Sequence, residues 1–227
     1  EQAEYLNVFQ RTANYVIPAH NKPLDSETTR DIKNNYKEFR QVNKTCTFAI
    51  AMDAVDQSAL DVTGEEREQI YEDAWSKGGL MFMGTFNDLV TNEEANATAQ
   101  TFFRKKLHEA VEDPEVAALL TPNFNLGCKR LIVGTDYFET YNRDNVTLVS
   151  LKDSPIEKIT PNTVVVSGEE YQADAIVLAT GYDAISGSIV AIDIRGRDGI
   201  SIKDRWADGP RCYLGLMCEG FPNLFTV

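Results

Sequence analysis

Two short basic segments, far apart in the chain, hold residue types suited to binding an anion. Arg11-Thr12 directly follows Leu6-Asn7-Val8-Phe9, a stretch of strand-like composition. A cation and a hydroxyl at the C-terminal edge of an α/β strand lie where ligands bind in open sheets. An Arg there is also the feature that accommodates the 2′-phosphate of NADP. The second segment, Gly127-Cys128-Lys129-Arg130, precedes the apolar Leu131-Ile132-Val133. Gly allows close approach of backbone to a ligand. Adjacent side chains on an extended segment point to opposite sides, so Lys129 and Arg130 can serve two different ligands. Lys supplies a point charge for phosphate, Arg a permanent planar cation. Taken singly, each segment is better read as solvated cations flanking a strand. A third candidate is Thr180-Gly181-Tyr182-Asp183, which ends the apolar run Ala175-Ile176-Val177-Leu178-Ala179. Gly181 suits either a crossover that passes close to a cofactor or a tight turn. Trp206 reads as a packing residue, and His20 and His108 as a loop residue and a solvated helix residue.

The elements that must position these groups follow from texture. Between Ser26 and about Leu120 the pattern is helical. Ser26 and Thr28 are candidate caps, Ile32, Tyr36 and Phe39 recur at helical spacing, and Ile70, Ala74 and Trp75 form a second stripe. Phe102, Phe103, Leu107 and Val111 form a third, and Asp113-Pro114-Glu115 restarts a helix, since Pro fits a first turn. After Pro122 the chain is β-rich. Val146-Thr147-Leu148-Val149 reads as a strand, and Thr160-Pro161-Asn162 as a turn between Ile156–Ile159 and Val164–Val166. The run Ala175–Ala179 predicts a strand buried on both faces of a parallel sheet. Tyr213–Leu216 and Asn223–Val227 predict two closing strands. Strand, long helical excursion, then strands: this is an α/β pattern with a helical insertion.

Composition bounds the rest. The 227 residues carry 22 Lys+Arg against 35 Asp+Glu, a net charge of -13 that disfavours a nucleic-acid partner. No uninterrupted apolar stretch is long enough for a membrane span. The 4 cysteines show no C-x-x-C pair, and with 2 histidines beside them no metal framework is visible. The expectation is a reduced, cytoplasmic protein. The 14 glycines never fall as G-x-G-x-x-G or as a P-loop, so no dinucleotide phosphate cradle lies within these residues.

Several segments taken in order carry a resemblance. They are Val8-Phe9-Gln10-Arg11-Thr12 with Ile17-Pro18-Ala19, Gly127–Ile132, Asp136–Val146, Pro155–Pro161, Asp174–Ala184, Asp193–Arg197, Trp206–Pro210, Tyr213–Leu216 and Gly220–Phe225. The chain resembles a type I Baeyer–Villiger monooxygenase of the kind acting on cyclic and aryl ketones, least closely across Ser26–Leu120. The resemblance implies tightly bound FAD, NADPH as reductant and O2 as co-substrate, with a small-molecule ketone giving an ester or lactone. It implies parts of two Rossmann-like dinucleotide-binding domains. Residues 1–20 and 123–178 would belong to the NADP-binding domain, 21–122 to a helical insertion and 179–227 to the FAD-binding domain. Arg130 would be catalytic, holding the anion that develops during oxygen transfer. Arg11, Thr12 and Lys129 would hold the 2′-phosphate of NADP, and Thr180, Gly181 and Asp183 fall in cofactor-binding segments. The glycine-rich phosphate motifs would lie upstream of Glu1 and a mobile loop beyond Val227, so an internal fragment is expected, inactive by itself. Two other functions fit less of the pattern: an N-hydroxylating flavin monooxygenase, and a non-catalytic acidic interaction remnant. The substrate and the oligomeric state are not readable from the sequence.

Overall fold

The computed structural model describes residues 3–46, 55–184 and 186–226. The chain forms two compact units, Glu1–Ala173 and Asp174–Val227.

The first unit is built on two parallel strand pairs. β1 (Leu6–Gln10) pairs with β4 (Val146–Ser150), Leu6 opposite Val146 and Gln10 opposite Ser150. β2 (Val16–Pro18) pairs with β3 (Ile132–Gly134), Val16 opposite Ile132. Among the described residues between β2 and β3 lie five α-helices: α1 (Ser26–Asn34), α2 (Tyr36–Thr45), α3 (Gly64–Lys77), α4 (Glu93–Ala110) and α5 (Pro114–Leu120). The α/β class with a helical insertion therefore stands. Each long helix starts for a local reason. Thr63 and Glu66 form a reciprocal capping box on α3, Asn92 accepts from the Glu94 and Ala95 amides, and Asp113 caps α5 with Pro114 in its first turn.

The core lies where this helical block grips β2. Tyr15 and Ile17 are buried against Tyr71 of α3, Phe82, and Phe102, Phe103 and Leu107 of α4. Aromatic edges fix the contact: Tyr15 meets Phe103 with ring centroids 4.8 Å apart, and Tyr71 meets Phe102 at 5.2 Å. An antiparallel meander follows, β5 (Ile156–Ile159), β6 (Thr163–Val166) and β7 (Glu169–Gln172). All four residues of β6 are buried, and the Thr160-Pro161-Asn162 turn closes through the Thr163 amide to Thr160 Oγ1 (3.0 Å).

The second unit has a small core of Ile202, Trp206, Cys218 and Phe221. It contains α6 (Gly187–Val190), α7 (Ile202–Arg205), β8 (Met217–Cys218) and β9 (Phe221–Phe225).

Four expectations need correction. The cap of α1 is Asp25, whose carboxylate accepts from the Thr28 amide at 2.8 Å, and Ser26 is already helical. An ionised carboxylate outcompetes the neighbouring hydroxyls for that position. The Ile32, Tyr36, Phe39 stripe spans two helices broken at Asn35 and buries nothing, since neither α1 nor α2 has a buried residue. Ala175–Ala179 is not a strand: it is irregular, and Val177 is 89% exposed. A fully apolar strand needs neighbours on both edges and faces, and no described strand pairs with it. Tyr213–Leu216 is a turn, with Leu214 at φ 52° and Gly215 at 74°, conformations that interrupt a strand. The other closing strand is β9, while Val227 lies outside the described residues.

Candidate cofactor-binding site

Parallel pairing of β2 with β3 ties the chain that follows Arg11-Thr12 to the chain at Arg130. Extended toward the N-termini of β2 and β3, the register sets Asn14 beside Arg130. The Asn14 side chain donates to the Arg130 carbonyl at 3.1 Å while its oxygen accepts from the Tyr15 amide at 2.9 Å. The Ile132 amide donates to the Tyr15 carbonyl at 3.1 Å. Arg11 lies three residues upstream of Asn14, a stretch that spans at most ~11 Å even when extended. Gln10, at the end of β1, donates to the Leu119 carbonyl of α5 at 3.0 Å, so Arg11 leaves a fixed point.

The segment leading to Lys129 and Arg130 is held from beneath by Asn96. This side chain is 2% exposed and sits in the first turn of α4, on its buried face. It donates to the carbonyls of Leu89 (2.5 Å) and Leu126 (2.9 Å) and accepts from the Leu126 amide (3.1 Å). Gly127 comes next at φ 91°, and a Cβ there would lie 2.8 Å from Val90 Cγ1. The position therefore requires glycine for both conformation and space. Residues 125–128 form one wall of a cleft of about 300 Å³ whose other side is Leu89–Glu93 with Asn96.

At the surface of this frame Arg11, Thr12, Lys129 and Arg130 are all exposed. Among the described residues none of the three cations forms an ion pair, although acidic side chains outnumber basic ones in the chain. Lys129 Nζ instead lies over the Phe124 ring, 4.7 Å from its centroid. Tyr15 beneath is a protonated donor: burial raises its phenol above the ordinary value, against the pull of Arg104, and its hydroxyl donates to the Phe124 carbonyl at 2.6 Å. Unpaired cations and a hydroxyl are the residue types suited to a phosphate group.

Thr180, Gly181 and Asp183 belong to the second unit, where all three are exposed. Gly181 has φ 83° with no heavy atom within 4 Å of a notional Cβ, so its requirement is conformational and its surroundings are open. Asp183 packs against Gly187, where a Cβ would come within 2.4 Å of the Asp183 Cβ. Trp206 is in the core, as its packing reading expects, and its buried indole N–H has no partner among the described residues.

Asn14, Tyr15, Asn96 and Phe124 were missed by sequence reasoning. Asn96 alone carried a signal: an Asn within an apolar helical face is poorly suited to a helix interior unless its amide is used.

No protein-family model matches the chain. It is 43% identical over 228 residues to a Baeyer-Villiger monooxygenase of Pseudooceanicola batsensis, an alignment covering 99% of this chain and 42% of that protein. A phenazine N-monooxygenase of Lysobacter antibioticus is 39% identical, over 99% of this chain and 42% of its own length. Among solved structures, that of OTEMO in complex with FAD and NADP superposes with a TM-score of 0.93 at 38% identity, covering 99% of this chain and 42% of that one. The chain thus spans well under half the length of these relatives, and over that span it is homologous to the Baeyer–Villiger monooxygenases.

Proposed function

We propose that the chain is the part of an FAD- and NADPH-dependent Baeyer–Villiger monooxygenase that binds the coenzyme phosphate and supplies a catalytic cation. The substrate would be a small-molecule ketone and the product an ester or lactone, with O2 as co-substrate. The observation that supports this reading is the pairing of β2 with β3, which ties Asn14, three residues after Arg11, to the Arg130 carbonyl, while among the described residues Arg11, Lys129 and Arg130 form no ion pair. In this reading residues 1–20 and 123–178 belong to the NADP-binding part, 21–122 to the helical insertion and 179–227 to the FAD-binding part. The four free cysteines fit a reducing compartment, the cytoplasm.

Arg11, Thr12 and Lys129 would hold the 2′-phosphate of NADPH. Arg11 and Lys129 supply charge, and Thr12 a hydroxyl donor. Thr180, Gly181 and Asp183 would face the flavin, with Gly181 admitting close approach of a ligand to the backbone. When bound, NADPH supplies a hydride and the flavin activates oxygen. Arg130, whose guanidinium cannot lose its charge, would stabilise the anion that develops in the reacting ketone. Its backbone is tethered to Asn14, so the cation is carried by a fixed point of the sheet edge.

The test uses the full-length enzyme containing this chain. Arg130→Ala should abolish ester formation while NADPH is still consumed and hydrogen peroxide appears. A loss of about 10²–10³ is expected for one preorganised donor. Arg130→Lys should rescue little, because an ammonium does not reproduce the planar fork. A normal ester yield from Arg130→Ala would leave it an ordinary strand-edge cation. A second reading, N-hydroxylation, is favoured by the similarity to the phenazine N-monooxygenase. Hydroxylamine or N-oxide products from nitrogen substrates, with ketones untouched, would replace the first reading by the second.

A further inference from the structure

We propose that Phe124 is a positioning residue for coenzyme choice: its ring face holds the Lys129 ammonium in place without neutralising it, leaving that charge for a phosphate. The inference rests on the reading of Lys129 as a 2′-phosphate contact.

A lysine side chain is long and freely rotating, and an exposed one spends little time in any one place. The usual device for holding it is a carboxylate, which would cancel the charge that phosphate recognition needs. Lys129 has no carboxylate partner among the described residues, and its ammonium lies 4.7 Å from the centroid of Phe124. The electron-rich face of a ring attracts a cation while taking up none of its N–H donors as a carboxylate would. Such a platform is useful only if the ring is fixed, and here it is. The Phe124 carbonyl accepts from the Tyr15 hydroxyl at 2.6 Å. The ring stands edge-on to Tyr15 at 88° with centroids 5.5 Å apart. Tyr15 is 2% exposed and packs on Phe103 of α4. Two residues beyond Phe124, the chain is pinned to α4 through Leu126 and Asn96. A path of fixed contacts thus runs from the hydrophobic core to the lysine.

The experiment measures binding of 2′,5′-ADP and of 5′-ADP to the full-length flavin-loaded enzyme by titration calorimetry. Lys129→Ala should weaken 2′,5′-ADP about tenfold or more and leave 5′-ADP unchanged. Phe124→Leu, which keeps an apolar side chain but removes the ring, should weaken 2′,5′-ADP by about threefold to tenfold and spare 5′-ADP. Phe124→Tyr should retain wild-type discrimination. Should the leucine variant fail to fold, stepwise fluorinated phenylalanine at position 124 keeps the shape while draining the ring face, and affinity should fall with each fluorine. In the Lys129→Ala background, Phe124→Leu should have no further effect on 2′,5′-ADP. An effect that persists there, or equal losses with both nucleotides, would overturn the proposal. If Lys129→Ala loses discrimination and the Phe124 variants do not, the positioning role alone falls. If Lys129→Ala changes nothing, the reading of Lys129 falls and this inference with it.

Discussion

Replacing Asn96 by alanine should loosen the frame beneath the basic cluster. The substitution removes two donated bonds, to the Leu89 and Leu126 carbonyls, and two accepted, from the Leu126 amide and from Gln100, whose side-chain amide keeps Asn125 as a second acceptor. Leu89 and Leu126 are each 1% exposed, so water does not readily replace the lost partner. At about 1 kcal/mol net for each of the three bonds to the Leu89 and Leu126 backbone, the loss is about 3 kcal/mol. With a urea slope of about 2 kcal/mol/M, the unfolding midpoint should fall by about 1.5 M. The chain contains 2 Trp residues, one in each unit, so a Trp206→Phe background leaves Trp75 as the reporter. Trp75 packs against Phe102 and Phe103 of the same helix as Asn96 and senses its unfolding directly. Asn96→Asp should be worse than its small change in shape suggests: it keeps the acceptor for Leu126 but sets a carboxylate against two carbonyls. In the full-length enzyme Asn96→Ala should also weaken NADPH binding, since Lys129 and Arg130 follow the loosened loop. A midpoint within about 0.3 M of the parent would show that Asn96 does not hold this segment, and the reasoning would fail.

Three other outcomes are expected. Gly127→Ala should destabilise the chain by about 1–3 kcal/mol, and adding Val90→Ala should restore only the steric part, because φ 91° remains unfavourable; complete rescue in urea unfolding would contradict the backbone argument. Burial works against ionising Asp88, but bonds from Ser58 Oγ (2.6 Å) and the Ala59 amide (3.0 Å) hold its carboxyl below the usual range. That stabilisation is present above the unfolded pKa and lost as pH falls through the folded one, so Asp88→Asn should cost about 1 kcal/mol at neutral pH and almost nothing in strong acid. Burial raises the phenols of Tyr15, Tyr71 and Tyr141, the last also facing Tyr137. Stability from these protonated groups is complete below the unfolded value and declines as pH rises past it, so in an ultraviolet titration the three should ionise only as the chain unfolds.

Local rules made much of this fold legible. The stripes of α3 and α4, the proline-started α5 and the Thr160–Asn162 turn depend on neighbours within a few residues, and the sequence shows those neighbours. What depends on distant partners was less readable. The Ala175–Ala179 run has strand composition, but a strand exists only when others pair with it. The stripe on α1 and α2 is apolar in pattern yet covers no core, because periodicity describes a face and not what lies opposite. For the basic cluster, residue types and the edge-of-strand position were visible from Arg11-Thr12 and Lys129-Arg130. The supports were not: Asn14, Tyr15 and Phe124 act through contacts spanning more than a hundred residues, and nothing in their local sequence announces those partners.

The Asn14 to Arg130 contact joins residues 116 positions apart, with the helical insertion as the intervening loop. Closing such a loop carries an entropic cost that grows only with the logarithm of its length, about 0.6 kcal/mol for each doubling. Helices can therefore be lengthened, exchanged or remodelled in that interval at little thermodynamic expense, provided the surfaces of α4 and α5 that touch β1, β2 and the Phe124–Arg130 segment are kept. The same separation works against speed, because parallel pairing this remote must await the folding of what lies between. The arrangement gives a region free to diverge in evolution and a proposed anion site assembled late on the folding path.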